Sequence, residues 1–146
     1  QVRKQVLAIA ESLMDEIAQK PLTFCDPDDP AAGTATGTGD CATVEVIGQE
    51  PPGGEGRYAA PQFDNVSDYH GFAMNSGTGG IKGIDNVAIA GLGNYSASVT
   101  VALAGTALGL ALNEDALRIT VTVTGPGGVS MTLEGYRTRY APNALP

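Results

Sequence analysis

His70 is the one histidine in the chain, so histidine-based proton transfer has a single candidate. Asp68 stands two residues before it, and in an extended segment that spacing puts both side chains on one side. A hydrolase triad also needs a nucleophile brought close in space. No Gly-x-Ser-x-Gly elbow occurs, and a hydrogen-bonded loop histidine is the better reading. Asp26, Asp28 and Asp29 offer the carboxylate oxygens that calcium takes. Pro27 and Pro30 interrupt that run and the EF-hand spacing is missing, so the competing reading is aspartates that cap turns through their own backbone. The glycine-rich runs 33–39 and 77–80 lack the Lys-Ser/Thr ending of a phosphate loop and read as surface. Nothing in these patterns supports an enzyme. No cofactor is expected; calcium at Asp26, Asp28 and Asp29 stays open only as the alternative to turn capping.

Cys25 and Cys41 enclose the fifteen residues 26 to 40, rich in Asp, Pro, Ala, Gly and Thr, which cannot form a core of their own. A disulfide across them would remove roughly 3 kcal/mol of unfolded-state entropy. It would also place the chain in an oxidising compartment, the periplasm or outside the cell. Two free thiols are the alternative. Two cysteines and one histidine do not complete a zinc shell. The net charge of -8 comes with eight scattered basic residues. No basic stripe exists to neutralise phosphates, so nucleic acid is not an expected partner, nor is an anionic membrane surface. No run of about eighteen apolar residues is present to span a bilayer.

The elements that must position these residues follow from periodicity. Val2, Val6, Ile9, Leu13 and Ile17 recur at steps of three and four, which sets them on one face of a helix over residues 1–20 that stops at Pro21. That helix opens with no cap or lead-in, as expected of the lower part of a longer helix whose beginning is absent. Residues 21–94 form an irregular region punctuated by Gly, Pro, Asp and Asn. Within it, 43–47 is a strand candidate, 49–56 a surface loop, and 63–72 an ordered loop pinned by Phe63, Val66, Tyr69 and Phe72. The segment 95–140 carries the sheet. Tyr95, Ala97, Val99, Val101 and Leu103 alternate with Ser96, Ser98 and Thr100. Ile119, Val121 and Val123 alternate with Thr120, Thr122 and Thr124. After a Gly125-Pro126-Gly127-Gly128 turn, Val129, Met131 and Leu133 alternate with Ser130, Thr132 and Glu134. Period-two alternation of β-branched residues around a glycine turn predicts antiparallel strands with one wet face. In the connection 104–116, Leu108, Leu110 and Leu112 add a strand or a short helix, and Asn113-Glu114-Asp115 turns the chain. The expected fold is α+β in one domain of 146 residues: the N-terminal helix covers the dry face of a three- or four-stranded antiparallel sheet.

This order of parts resembles the type IV pilin and type II secretion pseudopilin family. The segments that carry the resemblance are 8–17 (Ala-Ile-Ala-Glu-Ser-Leu-Met-Asp-Glu-Ile), 63–72 (Phe-Asp-Asn-Val-Ser-Asp-Tyr-His-Gly-Phe) and 24–29 (Phe-Cys-Asp-Pro-Asp-Asp). The last two look most like a minor pilin of the mannose-sensitive haemagglutinin pilus system. The resemblance implies a helix packed on an antiparallel sheet and a missing apolar segment that anchors the subunit in the inner membrane. It implies a domain held in the periplasm and later in an extracellular filament. Other pilin subunits would be its partners, met through the helix. The chain departs from many relatives in placing its cysteines after the helix rather than near the C-terminus. The expected role is a structural minor pilin or pseudopilin. The alternative is an adhesin-type module at a filament tip that recognises sugar or protein through the glycine-rich loops.

Overall fold

A computed structural model describes residues 1–48 and 55–139. The loop expected at 49–56 therefore lies almost wholly outside the described residues. Helix α1 spans Val2–Ala18. Its sequence holds Ala, Leu, Met, Glu, Gln, Lys and Arg with no Gly or Pro, a composition of strong helix formers. It ends where Pro21 disfavours helical backbone at Lys20. Four strands follow, β1 (Ala73–Met74), β2 (Ser96–Leu103), β3 (Ala116–Thr124) and β4 (Ser130–Thr138). They lie in that order in one antiparallel sheet. The helix lies across β3 and β4.

Val6, Ile9, Ala10, Leu13 and Ile17 are buried on α1, facing a sheet surface of Ala97, Val99 and Val101 from β2 and Leu117, Ile119, Val121 and Val123 from β3. Each buried aliphatic side chain contributes about 1.5–3 kcal/mol, so this interface dominates the stability. Val2 is half-buried against the same core, beside Gly125, where an added Cβ would come within 2.9 Å of its Cγ1. Along β4 the half-buried side is Met131, Leu133, Gly135 and Arg137. Gly135 lies beneath Met14. Arg137 reaches the end of α1 and donates to the carbonyls of Ala18 and Lys20, which a helix C-terminus leaves without partners. The β3–β4 turn runs through Gly127 (φ 76°) and Gly128 (φ 75°), a backbone region that side chains with a Cβ avoid. The opposite face of the sheet is polar, with Thr122 and Thr132 hydroxyls 3.3 Å apart across the strands.

Several expectations change in detail. Leu103 does not join the dry face and is 42% exposed. Among the described residues the chain flanking β2 reaches Val101 and no further, so there the strand end has a neighbour on one side. Residues 43–47 make one isolated bridge, Val44 to Cys25, rather than a strand. Val44 and Val46 face solvent while Glu45 is buried, accepting from the Ser67 hydroxyl at 2.7 Å. Leu108, Leu110 and Leu112 are exposed around two short 3₁₀ turns, Thr106–Leu108 and Asn113–Asp115. The anchors at 63–72 hold as expected: Phe63, Val66 and Tyr69 are buried, and Phe63, Tyr69 and Phe72 pack with ring centroids 4.7–6.4 Å apart. Cys25 and Cys41 are bonded, with Cα atoms 5.3 Å apart. Among the described residues no helix is long and apolar enough to cross a membrane.

Candidate functional site

Glu16 follows Leu13 by three residues, so helical spacing puts it at the edge of the apolar stripe. Its carboxylate is taken from two sides. Arg57 donates Nε and Nη2 to Oε2 and Oε1 at 2.9 and 2.8 Å, and the Tyr69 hydroxyl donates to Oε2 at 2.9 Å. The 3₁₀ turn Val66–Tyr69 places Tyr69. Arg57 comes from the irregular region and is 8% exposed along its side chain. Its Nη1 donates to the Lys82 carbonyl at 2.8 Å. Its guanidinium lies over the Tyr58 and Phe72 rings at 5.4 and 5.5 Å, a geometry that favours a cation.

Burial opposes ionisation of Glu16, but the hydrogen bonds and charge of Arg57, with the Tyr69 hydroxyl, outweigh it and hold the carboxyl below its ordinary value. Burial likewise disfavours the Arg57 cation, and Glu16 more than restores it. Burial, reinforced by the negative Glu16, pushes the Tyr69 phenol upward. The three groups are thus locked as anion, cation and neutral donor at neutral pH. They hold one another, and they join α1 to the irregular region.

Beside this lock a cleft of about 400 Å³ runs along the flank of α1. Its apolar walls are Ile9 and Leu13 from the helix, Met74 from β1, and Ile81, Ile89 and Leu92, with Glu16 and Arg57 also lining it. The chain from Ile81 to Leu92 forms a small hairpin closed by Ile81 and Ile89 backbone bonds. Gly80 (φ +74°) starts it so close to the Leu92 carbonyl that no Cβ would fit. This arrangement can enclose an apolar group next to a saturated ion pair.

The residues singled out by sequence fall elsewhere. His70 is exposed, and its Nδ1 accepts from the Val101 amide at 3.0 Å. It extends the flank of β2 as a hydrogen-bonded loop histidine. Asp68 does not share its side, being buried within the 3₁₀ turn. Asp26 and Asp28 come together with Asp64, with carboxylate oxygens within 4.8 Å of one another. Asp29 serves the backbone instead: Oδ2 accepts from Thr43 at 2.6 Å and Oδ1 from Ala31 at 2.8 Å. Those two amides hold its carboxyl below the usual range. Asp26 accepts from the Asp28 amide at 3.0 Å, so turn capping accounts for part of the aspartate run. Glu16 and Arg57 are 41 residues apart. The position of Glu16 on the stripe was the available signal; nothing local marks Arg57. No protein-family model, no curated protein and no solved structure matches the chain.

Proposed function

We propose that the chain is a structural subunit of a type IV pilus or type II secretion-like filament, assembling through its N-terminal helix. The observation that carries this reading is the placement of α1. One face is buried on β3 and β4, while Leu7, Ala8, Glu11, Ser12 and Asp15 remain exposed along the other. A helix used on one side by its own sheet keeps a second side for neighbouring helices, and small residues such as Ala8 and Ser12 permit close approach. The proposal predicts that the register of Val2 and Val6 continues through about twenty apolar residues encoded ahead of Gln1; a polar segment there would reject it. In cells carrying the full reading frame, Leu7→Cys or Ser12→Cys should form oxidative cross-links to other subunits, and Thr122→Cys on the wet sheet face should not. Equal cross-linking from both faces would count against assembly through the helix.

The cleft beside α1 favours a second reading, a binding module that receives an apolar or sugar-ring group between the helix and the 81–92 hairpin. Chemical-shift changes on adding glycans or peptides should centre on Ile89 and Leu13 and disappear in Ile89→Glu. Perturbations confined to the far side of the sheet would sink this alternative.

A further inference from the structure

The acidic side chains of the irregular region gather around Asp64. Carboxylate oxygens of Glu55, Asp64 and Asp68 lie within 4.8 Å of one another, and Asp64 makes a second such triad with Asp26 and Asp28. Asp26, Asp28, Asp64 and Asp68 take no part in either described ion pair. Carboxylates this close repel unless a proton or a cation lies between them, and burial together with the neighbouring Asp64 carboxyl pushes the Asp68 pKa upward.

Asp68 supplies an independent observation. It is 1% exposed. Its Oδ2 accepts from the amides of Asp64 and Asn65 at 2.9 and 3.0 Å. Its Oδ1 is buried with no hydrogen-bond partner. A buried oxygen of this kind carries the full cost of lost hydration, and here its carboxylate faces two others. We propose that Glu55, Asp64 and Asp68 bind a calcium ion, with the Asp68 oxygen as the inner ligand and Asp26 and Asp28 forming an acidic rim. Calcium takes six to eight oxygens at about 2.4 Å, so two ligands on opposite sides of the ion stand at most about 4.8 Å apart. Magnesium demands a tighter octahedron at about 2.1 Å and keeps its waters. The donors are all oxygen, as a hard cation requires. The ion would tie the turn at 65–69 to the segment bearing Arg57 and, through the rim, to the disulfide loop. This site is not the run Asp26, Asp28 and Asp29, because the Asp29 carboxylate is already engaged by two amides. It does not depend on the filament reading.

The test is calorimetric titration of chelator-treated protein with calcium chloride, paired with thermal melts. One calcium should bind per chain, and at a hundredfold excess over Kd the melting temperature should rise by about 5–10 °C. Asp64→Asn and Glu55→Gln should each weaken binding at least about tenfold, since loss of even an outer-shell partner of a metal site costs that much. Asp15→Asn, on the exposed side of α1, should bind as the parent does. Asp68→Asn risks the fold itself, so the first two variants carry the decision. Absence of heat and of any melting shift at about 5 mM calcium, above the range of weak extracellular sites, would overturn the site. So would unchanged affinity in Asp64→Asn, or an equal response to magnesium.

Discussion

The helix-and-sheet half of this molecule and the irregular half between them show two ways of fixing a chain. Helix α1 with β2, β3 and β4 is held by apolar burial: Val6, Ile17, Leu117, Val121 and Val123 are wholly enclosed, and the polar groups there are mainly backbone. The described residues of 21–94 bury far fewer aliphatic side chains. They are held by side chains that satisfy backbone, such as Asp29, Asn65 and Asp68, by one disulfide, and by the Arg57–Glu16 pair. The first kind of order is non-directional and tolerates conservative exchange. The second is directional, and each partner lost leaves a buried polar group unpaired.

The largest effect should come from attacking the apolar half. Leu13→Asp or Ile17→Asp buries a charge with no partner and should abolish cooperative unfolding, a loss above about 4 kcal/mol. An unchanged melting curve would refute the packing of α1 on the sheet. Next comes the tie between the halves. Arg57→Met strands Glu16 and should cost about 3 kcal/mol in urea denaturation, the low end for a buried pair because Glu16 keeps 21% of its side chain exposed. Adding Glu16→Gln should recover most of that cost, and failure to recover would show that Arg57 acts through packing alone. Reduction of the disulfide should cost up to about 3 kcal/mol. Amide exchange should quicken first at 26–44 while α1 and β3 stay protected; uniform loss of protection would erase the distinction between the halves.

Smaller still is the acid limb. Glu16 has a folded-state pKa below its ordinary 4.5, so its contribution is present above about pH 4.5 and is lost as pH falls through the folded value. Stability measured from pH 6 to pH 3 should decline less in the Glu16→Gln, Arg57→Met variant. An identical decline would assign the acid sensitivity to other carboxylates. Least of all, Thr122→Ala on the wet face should change stability by under about 0.5 kcal/mol, despite the 3.3 Å contact to Thr132. A larger loss would mean that the outer face is not a solvated surface.

The same division governs what could be read from the residues in order. Periodicity reports which side of an element is apolar, and it revealed α1 and the inner faces of β2 and β3 because burial there follows alternation residue by residue. It failed at Leu103, where the strand outruns its neighbour. It failed at 43–47 because Glu45, not Val44 or Val46, turns inward, toward the Ser67 hydroxyl and the field of Arg139. The Cys25–Cys41 bond was legible because only two cysteines exist and their loop has no core. Arg57 and the gathering around Asp64 were not legible, since their partners are brought together by turns whose course no pattern encodes. β1 was hidden for a similar reason: two residues carry no period.

The contact of Arg137 with the Ala18 carbonyl joins groups 119 residues apart, and the dry side of α1 is covered by β3 and β4. Helix α1 is therefore covered by strands that leave the ribosome after it. Until β3 and β4 have emerged, that stripe has no native surface to meet, so α1 cannot bury its apolar face as it is made, and the helix–sheet core closes only once Thr138 is free of the ribosome.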